Sequence, residues 1–285
     1  MAEPLPTPTA PGPLLPWLLA ALSPMNRTKV KQLLKHGCVA VNGKATTQHD
    51  HPLRPGDRVT LERGGPVAKP AKELAIVYED DAVVVIDKPV GLLSVANETE
   101  KDDTAFTRLT ARGPARPLVV HRIDRDTSGL LLFAKSVPVR DRLQADWDRV
   151  EKIYLAVVEG KPDPDAGTID NYLTEGRDLR VRRVPPGPNA KRAVSHYKTI
   201  RTRGPHSLVE VRLETGRKHQ IRVHLAGLGC PITGDGMYRA KTDLADRLAL
   251  HAWRLAFDHP LTGARIELES PMPKALKWVL DGGVR

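Results

Sequence analysis

Between two short apolar runs, Pro117-Leu118-Val119-Val120 and Leu130-Leu131-Leu132-Phe133-Ala134, the chain places His121-Arg122-Ile123-Asp124-Arg125-Asp126-Thr127-Ser128-Gly129. Both flanks have the length and the bulky or β-branched residues of strands, so the polar segment must connect them against a core. Two readings of such a connection stand side by side. In one, Asp and Thr/Ser oxygens satisfy backbone donors and Gly129 takes a positive φ. In the other, the polar groups face a ligand or carry chemistry. The residues of the loop alone leave both open.

Composition narrows the class. The 285 residues are 40% hydrophobic and 27% charged, enough for one large globular domain or two unequal ones. With only 4% aromatics, the core must be mostly Leu, Val, Ile and Ala. A formal net charge of +10 points to a polyanionic partner. No apolar stretch approaches the ~20 residues needed to span a bilayer, which favours nucleic acid over a membrane. Leu14 to Leu22 lacks a basic residue before it and is interrupted by Pro16, so it reads as a first helix rather than a leader. Cys38 and Cys230 have no CxxC partner, so neither a disulfide framework nor a zinc site is expected, and the protein is expected in the cytoplasm.

Residues 1–12, rich in Pro, Thr and Ala, are expected to be a disordered tail. Residues 13–64 read as a small α+β unit. It has helices at Leu14 to Leu22 and Lys29 to His36, the second capped by Asn26 or Thr28 and ended by Gly37. A hairpin turns at Asn42-Gly43, another turn falls at Arg54-Pro55-Gly56-Asp57, and Val59 to Leu61 is a closing strand. From residue 14 to 64 there are eight basic side chains against three acidic ones. Arg27, Lys29, Lys31, Lys35 and Lys44 are the candidate phosphate contacts, with an ordinary solvated helix face as the alternative. This unit resembles the RNA-binding domain of ribosomal protein S-four and of tyrosyl-tRNA synthetases, through Arg27 to Leu34, Gly37, Val41-Asn42-Gly43-Lys44 and Leu53 to Asp57.

Residues 65–72 read as a Gly/Pro linker, and 73–285 as a strand-rich second domain. Strands are expected at 76–78, 82–86, 153–158, 193–200, 207–213 and 265–268, with helices within 95–116 and over 137–148. Three more polar clusters appear. Lys152-Ile153-Tyr154 lies at a strand start, where a satisfied core tyrosine is one reading. Thr215-Gly216-Arg217-Lys218-His219-Gln220-Ile221-Arg222-Val223-His224 opens a helix at the end of a strand. His219 and His224 are five apart, a poor fit to metal-binding geometry, so no metal is expected. Residues 177–192 hold six basic side chains against one acidic, around Pro185-Pro186-Gly187-Pro188. This reads as a kinked phosphate-binding loop centred on Arg180, Arg182 and Arg183, or as a solvated one.

Together these residues resemble the RNA pseudouridine synthases of the RluA class. The family pattern HRLD-x-x-TSG-LL is matched by His121 to Leu131 with Ile123 in place of Leu. The K-x-Y motif is matched by Lys152 to Tyr154, and a third motif by Thr215 to His224. Asp87-Lys88-Pro89-Val90-Gly91-Leu92 and Pro231-Ile232-Thr233-Gly234-Asp235-x-x-Tyr238 also match. A sister class with the same appended RNA-binding domain reads GRLD, so His121 favours the RluA class.

The resemblance implies an α+β catalytic domain: a large, mostly antiparallel mixed sheet flanked by helices and loops, with a central cleft. It implies an isomerase that moves uracil from a C1′–N1 to a C1′–C5 link without a cofactor. Asp124 would start the reaction, Tyr154 would stack on uracil and relay or accept the C5 proton, and Arg222 would pair with Asp124. His121, Arg122, Thr127, Arg217, His219, Gln220 and Ile221 would contact substrate. Arg122 would fill the gap left by the flipped base and Ile221 would wall the pocket. Asp126 is expected to have no catalytic role. Large-subunit ribosomal RNA is the expected substrate, transfer RNA the alternative, and a monomer the expected state. A non-catalytic RNA-binding assembly factor and a hydrolase using Asp124 and His121 are the competing classes.

Overall fold

The computed structural model describes residues 2–35, 37–62, 73–98, 100–113, 116–176, 178–243 and 245–281. The linker expected at 65–72, His36, Arg177 and the side chains of Thr28 and Lys35 lie outside the described residues. The chain divides into two compact units, Met1–Glu73 and Leu74–Arg285.

In the first unit, β1 (Ala2–Pro4) and β2 (Gly12–Pro13) precede α1 (Leu14–Ala21) and α2 (Arg27–Lys35). Then come β3 (Val39–Val41), β4 (Lys44–Ala45), β5 (Pro52–Leu53) and β6 (Val59–Glu62). Asn26 Oδ1 accepts from Lys29 N at 2.9 Å and so caps α2. Asn42 and Gly43 both take positive φ, the geometry of a two-residue hairpin turn that matches strand twist. Asp57 accepts from Arg54 N and from Asn42 Nδ2, the backbone bond chief among the causes that hold its carboxyl below the ordinary range. Leu14, Leu18, Val30, Leu34, Val39 and Val59 form the core.

The expected disorder of residues 1–12 is corrected here. The strand β1 pairs antiparallel with β6, with Glu3 opposite Leu61. Leu5 N donates to Val59 O at 2.9 Å, and Gly56 N donates to Pro8 O at 3.0 Å. Proline-rich chain is well suited to an edge, where its missing N–H need not serve a ladder.

The second unit contains β7 (Ala75–Glu79), β8 (Val83–Lys88), α3 (Ala105–Thr110), β9 (Leu118–Val119), β10 (Ser128–Ala134), α4 (Val137–Ala145) and β11 (Glu151–Glu159). It continues with β12 (Ala166–Glu175), β13 (Val181–Val184), β14 (Lys191–Arg203), β15 (His206–Leu213) and α5 (Gln220–Gly227). After a 3₁₀ turn at Gly236–Tyr238 come β16 (Leu250–Asp258), β17 (Arg265–Glu269) and α6 (Lys274–Leu280). Among the described residues these strands form one sheet in the order β13-β12-β14-β15-β11-β16-β10-β8-β7, with β9 added on β10 and β17 on β16. All pairs are antiparallel except the short parallel contact of β10 with β16. The architecture is the expected α+β sheet.

Every residue of β10 is buried because both faces of the sheet are covered there. Leu130 and Leu132 pack with Val139 and Leu143 of α4, while Leu131 and Phe133 pack with Leu109 of α3 and Ile123. Three strands run past the sequence expectation. In β16, the buried polar His251 and the exposed Arg254 break the apolar alternation that marks a strand. In β12, Asp170 and Asn171 do the same. In the 177–192 segment, expected as a loop, Val181–Val184 forms β13 by pairing with β12.

Candidate active site

The segment His121–Ser128 enters β10 through a turn in which Thr127 N donates to Asp124 O at 3.2 Å. Its backbone is held from below. Ser94, buried, donates its hydroxyl to Ile123 O at 2.7 Å and accepts from Ile123 N at 3.1 Å. Lys88, fully buried, donates to the carbonyls of Pro89, Leu92 and Arg125, one for each ammonium hydrogen. Burial pulls Lys88 down to about 7 while Asp126 and Asp124 pull the other way. Gly129 sits at φ +109°, and a Cβ there would lie 2.2 Å from Ala252 O of β16. Only glycine lets β10 come this close to β16, and that approach brings the aspartate turn beside Tyr154, whose strand pairs with β16 at Ala252.

Asp124 projects into a cleft with 27% of its side chain exposed. Arg222 Nη1 stands 3.8 Å from its Oδ2, and His219 Nε2 3.9 Å. Neither is a close hydrogen bond. The tight partner of Arg222 is Asp235: Nε reaches Oδ2 at 2.7 Å and Nη2 reaches Oδ1 at 2.8 Å, with both side chains buried. Burial opposes the charge of Arg222, but Asp235 and then Asp124 outweigh it and hold the guanidinium above its ordinary range. Tyr238 lies under that guanidinium, 5.0 Å from ring centre to Cζ, and its hydroxyl is 2.9 Å from His219 Nδ1. Burial lowers the His219 pKa, with the nearby Asp124 pulling the other way. Burial and the nearby Asp124 push the Tyr154 phenol well above its ordinary range, so it holds its proton.

A partly open carboxylate, a clamped guanidinium and a neutral tyrosine around one cleft are groups suited to nucleophilic or acid–base chemistry. Comparison with known proteins decides which. The RNA pseudouridylate synthase family model matches residues 82–227, and an S4 domain model matches residues 17–59. The chain belongs to the RNA pseudouridine synthases.

Within that family the synthase falls in the RluA class. It is 38% identical to an uncharacterized RNA pseudouridine synthase of Bacillus subtilis (strain 168), over 90% of this chain and 89% of that one. It is 34% identical to the ribosomal large subunit pseudouridine synthase D of Pseudomonas aeruginosa, over 95% of this chain and 92% of the other. The solved structure of human RNA pseudouridylate synthase domain containing 4 covers 73% of this chain and 92% of its own, with a TM-score of 0.61 and 26% identity.

The cleft of this synthase brings together Asp124, Arg122, Ile123, Thr127, Tyr154, Arg217, His219, Gln220, Ile221 and Arg222. Geometry corrects one expectation and adds detail to two others. His121 does not line the cleft. Its Nε2 accepts from Leu132 N at 3.1 Å, and its ring lies 4.5 Å from that of Trp147. Burial first, and then Lys152, push its pKa down to about 3, which keeps the accepting nitrogen free of a proton. It anchors the loop to β10. Gln220 reaches the cleft but has no polar capacity left. Its oxygen accepts from Thr215 Oγ1 and Arg217 N, and its nitrogen donates to Val194 O and Ser195 Oγ. Arg222 stands within ion-pair distance of Asp124, as expected, and in addition is held by a closer partner, Asp235.

His219 takes φ +53° as the residue ahead of α5, a backbone strain of the kind found at functional sites. Arg122 is exposed at the cleft mouth. Arg180, Arg182 and Arg183 lie outside the cleft, Arg182 paired with Asp178. In the N-terminal unit Arg27, Lys29, Lys31 and Lys44 are all exposed.

Sequence reasoning gave no role to Ser94, Asp235 or Tyr238. Asp235 and Tyr238 stood inside a matched motif, which was the available signal. Ser94 gave none, because its contact spans 29 residues.

Proposed function

We propose that this synthase converts uridines of large-subunit ribosomal RNA to pseudouridine, with Asp124 initiating the reaction. The observation that carries the assignment is that Asp124 is the one carboxylate among the described residues lining the cleft, and is partly open to a ligand. The name of the Pseudomonas aeruginosa relative and the exposed basic face of the S4 domain favour ribosomal RNA.

The target uridine leaves its stack at a cost of about a few kcal/mol, and Arg122 at the cleft mouth fills the gap. Asp124 attacks C1′ as the C1′–N1 bond breaks, the step a retaining glycosidase nucleophile performs. The same carboxylate is placed to take the 2′ proton instead, giving a glycal. Uracil then turns against Tyr154 and the Ile221 wall, and C5 bonds to C1′ as the C1′–O bond to Asp124 breaks and frees the carboxylate, or, from the glycal, as Asp124 returns the proton to C2′. C5 then loses its proton while N1 gains one. Tyr154 enters as a neutral phenol, so it acts in that transfer by passing its own proton on as it receives another. Arg222 steadies the charge on Asp124 before the attack and again as the carboxylate is released. The atoms balance with no oxidant, reductant or added group, so the reaction calls for no redox cofactor.

The test is pseudouridine mapping on total RNA from cells lacking the gene, complemented with wild type or Asp124→Ala. Loss of the same large-subunit uridines in the null and in Asp124→Ala cells bears the reading out. Loss confined to transfer RNA moves the substrate, and no loss anywhere overturns it.

A further inference from the structure

A cavity of about 700 Å³ opens beside α5, apart from the catalytic cleft. Its rim carries Arg180, Arg182 and Arg183 from one side and Arg239 and Lys241 from the other. Glu159 is the one acid among its described lining residues. Its Oε1 is already taken by the amides of Lys241 and Thr242, at 2.7 and 2.6 Å, and by Thr242 Oγ1. Arg182 is held by Asp178. Among the described residues Arg180, Arg183, Arg239 and Lys241 have no carboxylate within ion-pair distance.

The floor differs in chemistry from the rim. Val223 and Ala226 of α5, Pro231, the half-exposed Met237 and the Tyr238 ring make an apolar bed. A charged patch evolved only for solubility needs no apolar recess beneath it, and neither does a site for phosphate alone. A nucleotide meets both halves, with its base on the bed and its phosphate at the rim.

Position selects which nucleotide. Tyr238 walls this recess, and its hydroxyl accepts from Val181 N at 3.1 Å and lies 2.9 Å from His219 Nδ1. His219 in turn faces Asp124. The recess is therefore linked to the catalytic carboxylate through a short chain of contacts, Tyr238 to His219 to Asp124. We infer that it receives an unstacked nucleotide of the RNA strand flanking the target uridine, its phosphate on Arg183, Arg239 and Lys241 and its base against Met237, Tyr238 and Val223. This rests on the reading of the cleft as a uridine site in RNA. Drawing one base out of the stack displaces its neighbours on the same strand, and a second recess next to the first holds one of them at the moment of cleavage.

A Cβ at Gly227 meets nothing within 4 Å, so Gly227→Phe can send a ring into the recess without a clash at its root. Arg239→Gln and Lys241→Gln remove rim charge at exposed positions that the fold does not need. Turnover is read as tritium released from [5-³H]uridine-labelled RNA extracted from cells lacking the gene. Each variant is expected to raise KM about tenfold with kcat kept within about twofold, as loss of one stacked or phosphate-bound nucleotide requires. Unchanged KM in all three, with turnover abolished in Asp124→Asn, overturns the recess and leaves the active site standing.

Independent of turnover, 4-thiouridine-substituted RNA from the same cells is photocrosslinked to the full-length protein. Adducts on residues 231–241 in wild type and Asp124→Asn, lost in Gly227→Phe, support the inference. Adducts confined to other segments overturn it, as does their displacement by millimolar uridine monophosphate, which marks a free-nucleotide site instead. Should Asp124→Asn retain turnover, the reading of the cleft falls while the crosslinks still decide the recess.

Discussion

Arg222 commits Nε and Nη2 to Asp235 at 2.7 and 2.8 Å and turns Nη1 toward Asp124 at 3.8 Å. The guanidinium is thus fixed by one carboxylate and offered to another. An arginine paired directly with Asp124 would follow that side chain and neutralise it. One clamped from behind supplies a steady field while leaving the Asp124 oxygens free to react.

Asp235→Ala removes the clamp and leaves a buried cation short of its partner. Stability should fall by about 3–5 kcal/mol, the usual result of breaking a buried pair. In protein that remains folded, kcat should fall more than KM rises. Urea denaturation and tritium-release kinetics measure the two effects. A stability change under about 1 kcal/mol would show that Asp235 does not carry the guanidinium.

Asp124→Asn should leave the fold intact, within about 1 kcal/mol by urea denaturation, because the side chain makes no close hydrogen bond and is partly exposed. Turnover should drop on the order of 10⁴-fold or more, as for a group whose removal ends the chemistry. RNA affinity, read by filter binding, should change less than about threefold.

Ser94→Ala removes the hydroxyl that holds both backbone polar groups of Ile123, one residue before Asp124. The buried groups left unpaired should cost about 1–3 kcal/mol. A small shift of the aspartate turn should lower kcat by about 10- to 100-fold with KM nearly unchanged. Ser94→Thr, which keeps the hydroxyl, should recover part of kcat. Equal loss in both variants would assign Ser94 a packing role only.

His121 gives a stability signature in acid. Burial, with Lys152 nearby, holds its folded pKa at about 3, below the ordinary 6.5. The unfolded chain therefore binds a proton that the folded chain refuses between pH 6.5 and about 3. Unfolding is favoured as pH falls through that window, by at most about 1.4 kcal/mol per pH unit for one proton. His224, lowered to about 4 mainly by burial, adds to the same trend. In His121→Gln, whose amide oxygen can still accept from Leu132 N, the slope between pH 6 and 4 should be visibly shallower than in wild type. Identical slopes would mean that His121 is not neutral in the fold.

The sequence made the site legible where chemistry is written locally. Asp124, Tyr154 and Arg222 each stand in a short run whose residue types are unusual for their element, and the cleft gathers all three. It was silent where function depends on distant partners. His121 looked like a ligand contact because nothing nearby in sequence announces Trp147 or the Leu132 amide. Gln220 looked free because its four partners come from β14 and from the turn before α5. In the fold, Leu131 and Phe133 were readable as core, whereas β16 was hidden by His251, whose Nδ1 meets Ser128 Oγ at 2.8 Å and whose Nε2 meets Ser270 O at 3.2 Å. A buried polar residue with a full set of partners behaves as core but is spelled as loop.

The pairing of β1 with β6 bears on how this protein is handled. With β1 in place, the outermost strand of the N-terminal sheet carries Pro4, which cannot serve as a donor to a newcomer. Cutting away the first five residues would not trim a loose end. It would bare Val59, Thr60 and Leu61, a short apolar rung with its backbone groups unmet, and invite another copy to add a strand there.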